Sequence, residues 1–210
     1  MSLLIRIDAE IEKRSLLKHP FYRKWSEGKL TKENLAGYSM EYFQLVKAVP
    51  TLVSNVAALA GPSRAGAIGE SLNEEITHIE PWVRFAGSVG VPKRKLERYP
   101  GAPATLESVK ALEGLTASSF EAGAAAMYAY ERQLPEISRS KIAGLKNFYG
   151  MEAGDATRYF ELHEEADVRH AALWRSFLAR SKSEATVMGA VSGSLNAQNA
   201  LLDSVMANHC

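Results

Sequence analysis

The chain has almost no cysteine: Cys210 is the single thiol among 210 residues. A lone thiol cannot close an intramolecular disulfide and cannot build a cysteine-rich zinc site. Charge of one sign is also missing, since Lys+Arg 25 against Asp+Glu 24 leaves a formal net charge of +1. That balance excludes a strongly basic nucleic-acid binder and an acidic disordered tail. No uncharged apolar run reaches the ~18 to 20 residues of a membrane-spanning helix. The longest weakly polar stretch, Gly114 to Tyr130, contains Glu121 and is broken by Thr, Ser and Gly. The opening segment MSLLIRIDAEIEKRSLLKH carries Arg6, Asp8, Glu10 and Glu12 before any signal-peptide core can form. These absences together predict a soluble cytoplasmic protein without a nucleic-acid or membrane partner. Period-two alternation of β-branched residues, the mark of a half-buried strand, is missing throughout.

What the sequence does contain is helical spacing. Hydrophobic residues at 46% and charged residues at 23% suit a globular chain. Leu4, Ile5, Ile11 and Leu16–Leu17 mark a first amphipathic helix. Leu35, Tyr38, Tyr42 and Val46 mark a second over 31–48, with Thr31 as its N-cap. Pro50 is expected to start a third helix, GPSRAG (61–66) to be a break, and Pro81 to interrupt a run over 67–89. GVPKRKLERYPGAPA (90–104) reads as the longest irregular stretch. A run over 115–134 should kink at Pro135 and continue to about 149. Asp155 should cap a long helix to about 181, before a last helix over 185–206. With no internal repeat and no linker, this predicts one all-α domain over residues 1–210, a bundle of about seven helices.

Three segments carry candidate chemistry. In YFELHEEADVRHAALW (159–174), His163, Asp167 and His170 stand at i, i+4 and i+7, on one face of one helix. Two imidazoles and a carboxylate suit iron, manganese or zinc. The HExxH zinc-protease pattern fails because its fifth position is Asp167. In FEAGAAAMYAYERQL, Glu131 shares a side with Phe120, Ala124 and Met127, so its ionised carboxylate needs a partner or a metal. The alternative is an exposed glutamate beside Arg132. In NEEITHIEPW (73–82), Glu75 and His78 are three apart, the spacing of carboxylate-bridged di-metal helices, and Glu74 with His78 is a second option. The spacings His78-x3-Trp82-x2-Phe85 and His170-x3-Trp174-x2-Phe177 are identical. Two helices should therefore present histidine in the same way, each above an aromatic anchor. Glu75, His78, Glu131, His163, Asp167 and His170 are enough for a di-metal site with positions open to oxygen.

HPFYRKWSEGKLTKENLAGYSMEYF (19–43), YAYERQLPEISRSKIAGLKNFYG (128–150) and YFELHEEADVRH (159–170) resemble the CADD-like para-aminobenzoate synthase family. The resemblance implies the haem-oxygenase-like fold shared with TenA and PqqC, and a self-sacrificing di-metal oxygenase of folate-precursor synthesis. It implies two metal ions, iron or iron with manganese, with O2 and a reductant as co-reactants and a homodimer as the assembly. The family's ligands map onto the six residues above. Its ring donor maps onto Tyr22 of the HPFY block and its amino donor onto Lys141, ten residues after Glu131. Tyr38, Tyr42 and Tyr130 are neighbours that could relay electrons or be consumed instead. Between Glu75 and His78 this chain has two residues where the chlamydial pattern has a longer insert, so Glu74 and Glu70 stay open as the first carboxylate. Binding to host death domains is not inferred.

Three rival functions remain in view. One is a di-metal oxidase of the same fold acting on an external small molecule. A second is a thiaminase of the TenA type, for which Cys210 is badly placed. A third is a non-enzymatic helical interaction protein.

Overall fold

Side chains at the helix starts explain where the chain turns. Thr31 opens the longest helix through a capping box: its hydroxyl accepts the Asn34 N–H, and the Asn34 side chain accepts the Thr31 N–H. Ser119 accepts the Ala122 N–H, and His19 Nδ1 accepts the Phe21 N–H ahead of Pro20. In the computed structural model, which describes all 210 residues, these and similar signals delimit ten α-helices and no strand. They are α1 (Leu3–Lys13), α2 (Pro20–Ser26), α3 (Lys32–Leu59), α4 (Pro62–Ser88), α5 (Lys93–Arg98), α6 (Pro103–Ser118), α7 (Phe120–Glu131), α8 (Leu134–Phe148), α9 (Arg158–Leu178) and α10 (Glu184–His209). Seven of them have twelve residues or more and form the bundle. No helix is long and apolar enough to cross a membrane.

The prolines act differently from the expectation. Pro50 lies inside α3 and Pro81 inside α4, and neither breaks its helix. A mid-helix proline costs about 3 kcal/mol. Around Pro50, however, Val46, Val49, Leu52, Val53 and Val56 are buried, and after Pro81 so are Trp82, Val83, Phe85 and Ala86. Each such side chain contributes roughly 1.5–3 kcal/mol when buried, so packing on both sides of the proline outweighs the lost backbone bond. The expected run over 115–134 instead breaks at Ser119, whose backbone is extended, and the chain restarts at α8 with Pro135 in its first turn. The stretch 90–104 holds α5, and α9 begins after Thr157 while Asp155 sits in a 3-10 turn.

α3 packs against α4, α6 and α10; α9 packs against α7, α8 and α4. The C-terminal half of α4, the end of α7 and the middle of α9 therefore converge. α2 and α8 close the other side of the same space, with the Trp25 indole donating to the Lys141 carbonyl at 3.2 Å.

Candidate metal centre

α4 contributes Glu75 and His78, α7 contributes Glu131, and α9 contributes His163, Asp167 and His170. All six side chains are buried. Donor atoms of Glu75, His78 and His163 lie within 4.8 Å of one another, as do those of Glu75, Glu131, Asp167 and His170. Glu75 belongs to both groups. It sits 3.6 Å from His78 Nδ1 and 3.2 Å from His170 Nδ1, while the His78 and His163 rings are 4.4 Å apart. The tighter Glu-to-His spacing thus keeps Glu75 inward, one helical turn before His78. Glu74 points outward, where it meets Arg169 at 2.9 Å and His170 Nε2 at 3.0 Å, and Glu70 is exposed.

The electrostatics of the site favour a bound cation. Three carboxylates share a space from which water is excluded. Burial drives the Glu131 carboxyl well above its usual range, with the charges of Asp167 and Glu75 adding to the effect, and burial raises Asp167 as well. Burial works against Glu75 too, but the His170 and His78 rings outweigh it and hold that carboxyl well below the ordinary carboxylate range. His170 is the converse case. Burial disfavours its charged form, yet Asp167 and Glu75 beside it raise it to about 11. Burial lowers His163, so its ring is held neutral.

The hydrogen-bond census points the same way. Glu131 Oε1, both Asp167 oxygens, His78 Nδ1 and His170 Nδ1 are buried and have no hydrogen-bond partner. Buried polar atoms are rarely left unpaired, because each costs about 1–3 kcal/mol. Five such atoms gathered in one cluster are a donor set suited to bound metal. The outer atoms of the same residues are tethered. His163 Nδ1 donates to the Tyr159 carbonyl at 2.7 Å, His170 Nε2 faces Glu74, and the Trp174 indole donates to Glu131 Oε2 at 2.5 Å. Such outer contacts fix which atom of each ligand is free to bind metal. The residues present therefore fit bound metal, in two donor groups that share Glu75.

The repeated His-Trp-Phe spacing has a structural meaning. Trp82 and Trp174 are both fully buried beneath His78 and His170, Trp82 donating to the Ser39 carbonyl and Trp174 to Glu131. Sequence reasoning missed Trp174 as a partner of Glu131 and Tyr159 as a partner of His163. The Tyr159 ring lies 4.0 Å from His163, and its place four residues before that histidine was the available signal.

Tyr22, Tyr38, Tyr42, Tyr130 and Lys141 lie together beside this cluster, all buried. Lys141 Nζ donates to the Tyr38 hydroxyl and sits 5.2 Å from the Tyr22 ring centre, 5.1 Å from Tyr42 and 4.9 Å from Phe160. It has no carboxylate partner, and burial drives its ammonium well below the usual lysine range. The Tyr22 hydroxyl has no hydrogen-bond partner, and burial, with the nearby Tyr42, raises Tyr22 well above its ordinary value. Tyr42 is raised to about 12, chiefly by burial, with the charges of Asp167 and Glu75 adding to the effect. Cys210 is exposed and remote in role from this centre.

Comparison with known proteins agrees with the geometry. Residues 37–198 match the family described as iron-containing redox enzyme. The chain is 37% identical over 177 residues to a 4-aminobenzoate synthase of Chlamydia muridarum, covering 81% of this chain and 75% of that one. It is 32% identical over 226 residues to the 4-aminobenzoate synthase of Nitrosomonas europaea, covering 98% and 91%. A domain of unknown function with a heme oxygenase-like fold from Shewanella denitrificans superposes with a TM-score of 0.81 at 18% identity, over 96% of this chain and 89% of that one. A TenA homolog from Pseudomonas syringae superposes with a TM-score of 0.82 at 16% identity, over 97% and 91%. These last two establish the haem-oxygenase-like fold expected from the sequence. The chain belongs to the family of iron-containing redox enzymes, alongside the bacterial 4-aminobenzoate synthases it resembles.

Proposed function

We propose that this protein makes 4-aminobenzoate from its own side chains, with Tyr22 supplying the ring and Lys141 the nitrogen. The observation that carries this reading is the pairing of Lys141 and Tyr22, 5.2 Å from amine to ring centre, in a dry aromatic cage next to six converging metal ligands. The six ligands would hold two ions, iron or iron with manganese, and these would supply the reduction of O2 to an oxidant able to attack a phenol. Glu75, common to both donor groups, would help to hold both ions.

The chain's own groups do the rest. Converting a tyrosine side chain to 4-aminobenzoate requires the Cα–Cβ bond to break and Cβ to be oxidised to a carboxyl carbon. The phenolic oxygen must be replaced by nitrogen and leave as water, and the Cε–Nζ bond of the lysine must also break, leaving Cε oxidised to an aldehyde. O2 is the oxidant, and an external reductant supplies the electrons that bring it to water. Lys141 must be uncharged to act as a nucleophile, and burial without a carboxylate partner favours its neutral form. Ring and amine held in one cavity face no diffusional encounter, which is a large advantage in effective concentration. Tyr38 would orient the amine through the hydrogen bond it accepts from Lys141, and Tyr42 and Tyr130 would relay electrons. The protein is consumed, so turnover is about one per chain.

An intact-mass spectrum after exposure to Fe(II), reductant and O2 tests this directly. The expected result is a mass loss matching a tyrosine side chain, localised at residue 22, together with loss of the amine nitrogen at residue 141, both absent in Tyr22→Phe. An unchanged mass with continued O2 consumption in Tyr22→Phe would instead favour oxidation of an external small molecule.

A further inference from the structure

Asp167, one of the six converging residues, also lines a cleft of about 390 Å³ that opens to solvent between α1, the α7–α8 junction and α9. Its walls carry three guanidinium groups, Arg132, Arg139 and Arg175, and its apolar side is formed by Pro135, Val168 and Ala171. Asp8 is the one acid on the wall apart from Asp167 itself, and both its oxygens are engaged. Tyr128 donates to Oδ1 at 2.6 Å and Arg175 Nη2 to Oδ2 at 3.0 Å. Arg175 Nη1 is shielded from solvent and has no partner. Arg132 forms no ion pair, and Arg139 reaches only Glu164, at 3.5 Å. The cleft thus presents unspent guanidinium donors above a flat apolar wall.

We propose that this cleft binds a small aromatic carboxylate, holding the product acid on its way out of the protein. The inference rests on the synthase reading above for the identity of the acid. Guanidinium forks match carboxylate oxygens in planar, two-point hydrogen bonds, and proline, valine and alanine surfaces accept a ring. The volume lies within the range of small-molecule sites, roughly 300–1,000 Å³. With Arg175 paired to Asp8 and Arg139 to Glu164, the unpaired Arg132 leaves the mouth with an excess of positive charge that favours an anion.

The test is titration of the unreacted full-length protein with benzoate, 4-aminobenzoate and aniline, followed by calorimetry and methyl NMR. Both acids should bind and shift the Val168 and Ala171 methyl signals. Aniline, which has a ring but no carboxylate, should bind at least about tenfold more weakly, the scale of one lost charge-assisted contact. Arg132→Ala/Arg139→Ala should weaken the acids by about tenfold or more. Both arginines are exposed, and the variant's circular dichroism reads its fold. Equal binding of aniline, absence of acid binding up to about 10 mM, shifts confined to other residues, or unchanged affinity in a folded double variant would each overturn the proposal. Because no iron or O2 is added, this outcome is independent of whether Tyr22 is consumed, which the mass spectrum decides.

Discussion

Lys141 donates its Nζ proton to the Tyr38 hydroxyl in a cage of rings, with no carboxylate in reach. A lysine buried this way loses its proton on folding at pH values where the unfolded chain keeps it. Its folded-state value lies well below 10.5, so between that value and 10.5 the unfolded chain binds one more proton. Stability contributed by this site therefore rises with pH across that window, by up to about 1.4 kcal/mol per unit. Lys141→Met removes the titrating group. Urea unfolding from pH 7 to 10 should show the stability advantage of Lys141→Met shrinking as pH rises, and parallel profiles for the two proteins would refute a depressed Lys141.

Much of this centre was legible because helical periodicity is a local property. His163, Asp167 and His170 share a helix, so their spacing alone placed them on one face, and Glu75 with His78 followed the same rule. Glu131 was ambiguous, because whether its face is buried depends on α9 arriving with Trp174, a contact 43 residues away in sequence. Pairing of Tyr22 with Lys141 was beyond spacing altogether and came from family resemblance. It depends on Trp25 of α2 docking on α8, a long-range event. The prolines misled for a related reason: the penalty of Pro50 and Pro81 is local, while the packing that outweighs it comes from other helices.

Metal stoichiometry should follow the two overlapping donor groups. His163→Ala removes a ligand from the group of Glu75, His78 and His163 and should leave about one ion per chain. Glu75→Ala touches both groups and should leave neither occupied. In the unmutated chain, each site filled with Fe(II) at about 100 times its dissociation constant should add roughly 2.7 kcal/mol and raise Tm by roughly 5–10 °C. Metal analysis after desalting, with thermal melts, checks all three. Equal loss in both variants would argue against Glu75 as the shared ligand.

Trp174 supplies the hydrogen bond that Glu131 accepts, so Trp174→Phe should act on the metal site without touching a ligand. Phenylalanine fills most of the space but leaves Glu131 with no donor, a cost of about 1–3 kcal/mol. The expected result is a lower urea midpoint in the metal-free protein and weaker iron binding. Glu131→Gln added to Trp174→Phe should not restore iron binding, since a neutral amide is a poorer ligand than a carboxylate.

Glycine substitutions give a test of opposite signs in two helices. A Cβ on Gly144 would stand 2.5 Å from Cδ1 and Nε1 of Trp25, and the Trp25 carbonyl oxygen 3.3 Å away limits any shift. Gly144→Ala must therefore push Trp25 off α8, losing its hydrogen bond to the Lys141 carbonyl and loosening the segment that holds Tyr22. Overpacking of this kind costs about 1–3 kcal/mol, or roughly 3–10 °C in Tm for a chain of this size. Gly66, in α4, has no atom within 4 Å of the same position and an ordinary helical backbone. Gly66→Ala should instead stabilise by about 0.5–1 kcal/mol, because alanine loses less conformational freedom on folding. If both variants moved Tm in the same direction, close docking of Trp25 on Gly144 would not be what positions Tyr22 beside Lys141.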